Sequence, residues 1–313
     1  MTQYTFLNPQ DFNTIATRYG ISRVLSHKIL SGGSENTNFL IRTATTSYVL
    51  TICEQKSMEE ARNLALLLEH LKAHDFETSE VIRSAKDELV TAWKGKPVIL
   101  KSFIEGDIMD DLPVHLLEHI GRELGRLHQV PPPDYLQTDI SYVLEHFDEV
   151  ELYAAQSEFS FWLQAIKKNT QKYISPDLPK VLIHSDLFAS NVIVRSDETS
   201  ATIMDFEEAS NYYRIFDIGM SIIGLCREGK TVNLDKIKAF LKGYTQEIDL
   251  LPIEKTALQA FTAYAAAAMS FWRHKNFNYT NPTPEMATHY VELKEIADSI
   301  LVSQPSGWTS RNL

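Results

Sequence analysis

One stretch, residues 181–217, limits what this chain can fold into more than any other. It reads Val-Leu-Ile-His184-Ser-Asp186-Leu-Phe-Ala-Ser-Asn191-Val-Ile-Val-Arg, then Ala201-Thr-Ile-Met-Asp205-Phe, and further on Asp217. The apolar run 181–183 delivers a His and an Asp into a short loop. With four residues between, Asn191 follows and opens a second apolar run. A polar segment, 195–200, reverses the chain, and 202–204 returns to end at Asp205. Two β-branched runs around a polar turn predict a hairpin. With the turn centred on Glu198, Asn191 falls opposite Asp205, close enough to share a ligand. An amide oxygen beside a carboxylate suits a hard cation such as Mg²⁺, and Asp186, one loop away, is free to accept a proton. These are the parts of a phosphoryl-transfer site in outline.

The order His-x-Asp-x-x-x-x-Asn, apolar hairpin, Asp resembles the kinase-like phosphotransferases, which include aminoglycoside phosphotransferases, choline kinases and one type of bacterial homoserine kinase. The resemblance implies an α+β, bilobal protein-kinase-like fold. Its ATP-binding N-terminal lobe (1–101) would carry an antiparallel sheet with one main helix. A hinge (102–106) would lead to a mostly helical catalytic and acceptor-binding lobe (107–313). It also implies Asp186 as catalytic base, Asn191 and Asp205 as holders of Mg²⁺ on the ATP phosphates, and His184 and Asp217 as supports of the catalytic loop. Any one of these residues alone is more often an ordinary loop or cap residue; Asp186, Asn191, Asp205 and Asp217 together, in this order and spacing, outweigh that reading.

At 313 residues the chain is long enough for one two-lobed unit or two ordinary domains. Its N-terminus lacks the basic and apolar segments of a signal peptide. The longest largely apolar stretch, 260–272, is too short to span a bilayer. Cys53 and Cys226 lie far apart without metal-site spacing, as in a protein of the reducing cytoplasm. Of the 30 basic and 41 acidic residues, 11 and 11 fall in 1–100, so the remaining 19 and 30 carry the whole net charge of −11. Nucleic acid, which needs a basic footprint, is disfavoured as a partner. The negative field would favour Mg²⁺ and an acceptor with an ammonium group, although a merely soluble acidic surface has the same composition.

Along the chain, residues 8–19 read as a short amphipathic helix and 24–52 as strands. Between two of these strands lies Ser31-Gly32-Gly33-Ser34-Glu35-Asn36-Thr37-Asn38, a small-residue loop through which backbone N–H groups could approach phosphates. By the resemblance, Gly32, Gly33 and Ser34 cover the ATP phosphates. The wording Gly-Gly-Ser-Glu-Asn-Thr-Asn-Phe, with Tyr48-Val-Leu-Thr51, looks most like the homoserine kinases of the superfamily. Many relatives place Lys or Arg where Thr51 stands, so the phosphate-gripping cation is unassigned. Ser57 and Glu60 predict a capping box opening a Leu-rich helix. Residues 96–106 read as a strand ending in an acidic turn, where the resemblance puts the Ser102 carbonyl and the Ile104 N–H on adenine.

Beyond residue 112 helices dominate. Leu116, Ile120, Leu124 and Leu127 form a stripe, with Gly121 and Gly125 marking close helix packing and His128 a structural residue. The helix over 253–272 is mostly Ala and aromatic in its second half, and a helix stretch apolar all round is buried. At its polar end Arg273 could bind a substrate carboxylate, with Glu207 or Glu208 meeting the ammonium group; an ion-pair role for Arg273 is equally open. The acceptor expected from the resemblance is L-homoserine, a small amino acid. The alternatives are choline, ethanolamine or another amino alcohol, for which an aromatic cage from Trp162, Tyr212 or Trp272 would speak; protein Ser/Thr; or no turnover at all in a nucleotide-binding module.

Overall fold

The computed structural model describes residues 5–30, 36–303 and 308. The chain divides into two compact units, one of Met1–Gly106 with Pro133–Tyr135, the other of Asp107–Pro132 with Leu136–Leu313. The class is α+β: the first unit is built on an antiparallel sheet and the second is mostly helical.

In the first unit, α1 (Pro9–Thr17) starts at Asn8, whose side chain accepts from the Gln10 and Asp11 N–H groups. Then come β1 (Ser26–Leu30), β2 (Asn36–Arg42), β3 (Ser47–Cys53), α2 (Met58–Ala73), β4 (Val81–Ile82), β5 (Thr91–Trp93) and β6 (Lys96–Ser102). The sheet runs β1-β2-β3-β6-β4, with β5 also on β6. The predicted capping box is present: Ser57 accepts from Glu60 N–H, and the Glu60 carboxylate from Ser57 N–H. Leu64, Leu67, Leu68 and Leu71 are buried. Side chains alternate across the sheet. Phe39, Ile41, Leu50, Ile52, Val98 and Leu100 fill one face and pack with Phe12 and Ile15 of α1. Register puts the other set on the opposite face. Lys28, Leu40, Val49 and Lys101 form one row there, and Leu30, Asn38, Thr51 and Ile99 the next.

In the second unit the elements are α3 (Val114–Leu127), α4 (Val150–Tyr153), α5 (Glu158–Gln171), β7 (Lys180–Ile183), β8 (Val192–Val194), β9 (Ala201–Ile203), β10 (Ser210–Tyr213), α6 (Arg214–Leu225), α7 (Leu234–Tyr244), α8 (Pro252–Lys275) and α9 (His289–Val302). β8 pairs with β9 and β7 with β10, both antiparallel. The helix predicted after Asp217 begins earlier, at Arg214, so Asp217 lies in its first turn. α8 is buried along almost its whole length, packed against α5, α6 and α9. No helix among the described residues is long and apolar enough to cross a membrane.

The small-residue marks in α3 have the predicted cause. α3 and α7 approach until a Cβ on Gly121 would overlap the Phe240 carbonyl oxygen, and one on Gly243 the Glu118 carbonyl oxygen. Backbone cannot yield as a side chain can, so Gly243→Ala should cost roughly 1–3 kcal/mol, the range for overpacking. A urea midpoint unchanged from wild type would contradict this packing.

Candidate active site

β7 hands the chain to loop 184–191, which is tied at both ends and across its middle. Asp217 accepts from the His184 N–H at 2.8 Å and the Ser185 N–H at 2.7 Å. Ser185 is thereby held at φ +72°, a left-handed conformation uncommon outside glycine. His184 Nδ1 accepts from the Asp186 N–H at 3.2 Å, which leaves the proton on Nε2, 2.9 Å from the Met204 carbonyl. One imidazole thus joins the backbone of Asp186 to the residue preceding Asp205. Asn191 Nδ2 donates to the Asp186 carbonyl (2.7 Å) and carboxylate (3.2 Å).

Asp217 is completely buried, which by itself raises its pKa. The bond from His128 Nε2 at 3.1 Å and the neighbouring His184 more than offset this, so the carboxyl stays below its ordinary value. His128 Nδ1 in turn pairs with the Tyr244 hydroxyl at 2.8 Å. His128 has the structural character its sequence context suggested, and it does more than fill space: it fixes the acid that fixes the loop.

The hairpin differs from expectation by one residue. Val192 pairs with Ile203, and the Met204 N–H donates to the Asn191 carbonyl at 2.9 Å, so Asn191 lies opposite Met204, not Asp205. The turn closes with the Arg195 N–H on the Ser200 carbonyl, which centres it between Asp197 and Glu198. In a continuous strand such a slip sends the next side chain to the other face. Asp205 escapes that rule because the strand has ended at Ile203 and its own φ is +67°. Asp205 is exposed, and its carboxylate has no hydrogen-bond or ion-pair partner among the described residues.

Asp186 is half-buried. Burial, then the charges of Asp205 and Glu208, push its carboxyl up to about 7, against the Asn191 hydrogen bond and the positive charge of Arg273. Two further acids and the Arg273 guanidinium therefore lie within electrostatic reach of Asp186. The Asn191 Oδ1 makes no hydrogen bond among the described residues. With the Asp205 carboxylate it offers two hard oxygen donors, a set that fits a divalent ion completed by phosphate and water oxygens. No group of three or more His, Cys, Asp or Glu among the described residues could hold a metal unaided.

The remaining candidates fall as follows. Glu207 and Glu208 are both half-buried, and Glu208 acts on Asp186. Arg273 Nη1 donates to the His289 carbonyl (3.1 Å) and to Glu292 (3.2 Å). Its Nε and Nη2 donors have no partner among the described residues. In the first unit Ser102 ends β6, with its N–H on the Glu80 carbonyl at 2.8 Å. The Ile104 N–H and carbonyl make no hydrogen bond among the described residues. Gly32, Gly33 and Ser34 lie outside the described residues. Thr51 is fully buried, its hydroxyl on Asn38 at 2.7 Å. Lys101, which sequence reasoning passed over, shares its sheet face one row away and has no ion-pair partner among the described residues. Strand alternation counted from Thr51 and Ile99 would have found it.

No ring contact joins any two of Trp162, Tyr212 and Trp272 among the described residues. Trp162 Nε1 donates to Asp298 at 2.7 Å with Lys294 over its ring, and the buried Tyr212 hydroxyl bonds to Glu145 and Tyr264.

An α+β fold with a His-x-Asp loop, an Asn–Asp hairpin and a buried Asp beneath the loop is the build of the kinase-like phosphotransferases. The chain belongs to the phosphotransferase enzyme family, whose sequence profile matches residues 26–250. It is 27% identical over 297 residues to the homoserine kinase of Parvibaculum lavamentivorans, covering 91% of this chain and 90% of that one. Among solved structures, an amicoumacin kinase in complex with AMP-PNP and Ca²⁺ superposes with a TM-score of 0.74 at 19% identity, covering 97% of this chain and 98% of that one. A microcompartment-associated aminopropanol kinase gives 0.73 at 16% identity, with 97% and 98% covered. At these identities the structural likenesses speak for the fold.

Next to Arg273, His274 is buried among Phe159, Tyr290, Tyr279 and Tyr153, its Nδ1 without a hydrogen-bond partner among the described residues. Burial pushes its pKa down from 6.5 to about 4. Between those values the unfolded chain binds the proton and the folded one does not. Stability is therefore full above pH 6.5 and is lost as pH falls toward 4. Urea melts at pH 7 and pH 5 should show wild type losing on the order of 1–2 kcal/mol more than His274→Phe. Equal losses would mean that His274 is protonated in the fold.

Proposed function

We propose that this protein is an ATP- and Mg²⁺-dependent small-molecule kinase of the cytoplasm that phosphorylates the hydroxyl of L-homoserine. The observation that carries the reading is the Arg273 guanidinium within electrostatic reach of the Asp186 carboxyl. The carboxyl is tethered by Asn191, and the guanidinium is anchored through Nη1, its Nε and Nη2 without a partner among the described residues. A substrate bearing both a hydroxyl and a carboxylate matches that pair. The homoserine kinase relative and the Gly-Gly-Ser-Glu-Asn-Thr-Asn-Phe wording support the same acceptor.

In this reading Asp186 accepts the hydroxyl proton, and Asn191, by holding both its carbonyl and its carboxylate, fixes the direction of that acceptance. Arg273 receives the substrate carboxylate on Nε and Nη2, and Glu208, with Glu207, meets the ammonium. Asn191 and Asp205 would hold Mg²⁺; when bound, the ion supplies charge neutralisation on the nucleotide phosphates. Asp186 would reach the ionised state a base requires more readily with a cation offsetting the charges of Asp205 and Glu208. Adenine would meet the Ser102 carbonyl and the Ile104 N–H, with Gly32, Gly33 and Ser34 over the phosphates. Lys101, next to Thr51 on the sheet, is our assignment for the cation that Thr51 does not provide.

An amino alcohol such as aminopropanol shares the hydroxyl and ammonium but would leave Arg273 unused. A quaternary amine without a carboxylate would leave it unused as well. ADP release by the purified protein with ATP and Mg²⁺, screened over homoserine, choline, ethanolamine and a generic protein substrate, separates these readings and a non-catalytic module from one another.

Asp186→Asn should keep nucleotide affinity near wild type and lower turnover by at least roughly 10²-fold. Asp205→Ala should lose Mg²⁺-dependent nucleotide binding. Unchanged turnover in both would refute the assignment. Arg273→Gln should raise the KM for homoserine by roughly 10–100-fold, the value of charged hydrogen bonds, and leave the KM for ATP alone. An equal rise in both would point to damage through Glu292 instead.

A further inference from the structure

α6 meets the catalytic loop at a second place besides Asp217. Gly224 lies seven residues on, two turns along the helix and on the same face, about 10 Å further down the axis. A Cβ there would overlap the Leu187 carbonyl oxygen and stand 3.0 Å from the Leu187 carbonyl carbon and from Phe188 Cα. Every one of those atoms is backbone, and they belong to the two residues directly after Asp186. Leu187 is completely buried, and so is Ser221, which lies between Asp217 and Gly224 on the same face of the helix. Beyond the contact, the Phe188 N–H bonds to the Asp186 carbonyl at 3.0 Å and the Asn191 N–H to the Phe188 carbonyl at 2.9 Å. A displacement at Leu187 is therefore passed on to both Asp186 and Asn191.

We infer that Gly224 is a positioning residue: the missing side chain sets the depth at which loop 184–191 seats on α6, and with it the place of the Asp186 carboxylate. The inference rests on the reading of Asp186 as base. Asp217 holds the loop's entry by hydrogen bonds, and Gly224 holds its middle by bare backbone contact. The neighbouring Gly219 provides an internal control. A Cβ there would stand 2.9 Å from the Phe261 carbonyl oxygen and Thr262 Cα on α8, away from the loop.

The test compares Gly224→Ala, Gly219→Ala and Asp186→Asn for ADP release with ATP, Mg²⁺ and homoserine, with melting temperatures recorded alongside. Moving a reacting group by about 1 Å can cost on the order of 10²-fold. Gly224→Ala should therefore lose roughly 10–100-fold in kcat per folded molecule while its KM for ATP stays near wild type. Gly219→Ala should lose stability with kcat preserved. If Gly224→Ala keeps kcat, or if both alanine variants lose it in step with their melting temperatures, the inference falls. Full turnover in Asp186→Asn with a loss in Gly224→Ala would remove the base assignment and leave the seating role standing. Should Gly224→Ala fail to fold, or homoserine prove not to be turned over, amide hydrogen exchange on the wild-type protein decides. The Phe188 and Asn191 amides should be as protected as those of α6, since a seated loop opens only with its helix; exchange on the timescale of a free loop overturns the proposal.

Discussion

Everything at this site hangs on one buried charge. Asp217 sits in the first turn of a helix buried along its entire length, where an unpaired carboxylate would be too costly to keep. It is kept because two backbone N–H groups and one imidazole converge on it. The constraint runs both ways. The donors hold Asp217 ionised, and Asp217 holds Ser185 in a backbone conformation that the chain would otherwise leave. Since the Tyr244 hydroxyl backs His128, helices α3, α6 and α7 all feed into the same acid. The loop is thus shaped by the helical packing behind it, and Gly121, Gly243 and Gly224 are the positions where that packing is closest.

The other electrostatic feature has the opposite sign. Asp205 and Glu208 make ionisation of Asp186 more costly, and Asp186 lacks a compensating donor set like that of Asp217. A cluster of this kind is stable only because Asp205 is exposed to water and Asp186 half so. It is most at ease with a cation among its members. Asp217 is ringed by donors, whereas the Asp205 carboxylate has no hydrogen-bond or ion-pair partner among the described residues, and this divides the two more sharply than burial does.

Much of this was legible beforehand because it depended on order and period. The loop, the hairpin, the capping box at Ser57 and the buried α8 follow from apolar runs, spacing and local cap chemistry. The hairpin register did not follow, since the polar turn can close on an odd or an even number of residues. The Arg195–Ser200 pair chose the even one. Asp205 still joins Asp186 because a left-handed residue at the strand end redirects the chain, and no pattern of side chains announces that. Gly224 was invisible for a related reason: one glycine in an apolar helix has no meaning until the backbone packed against it is known. His128 could be recognised as structural, but its partner lies 89 residues away.

Thr51 brings these strands together. A cation at that point on β3 would have to be accommodated on a fully buried position whose cross-strand neighbour is Asn38. The sequence fills it with a hydroxyl that Asn38 satisfies at 2.7 Å, which closes the position to any ligand. The nearest lysine on that face, Lys101, sits one row along, opposite Val49 and Val81, where the strand is only half-buried and an ammonium group can stay hydrated. Moving a positive charge from a dry row to a wetter one costs the sheet less desolvation. It also asks more of the side chain's reach, and lysine, a compact charge on a flexible four-carbon stem, is the residue suited to supply it.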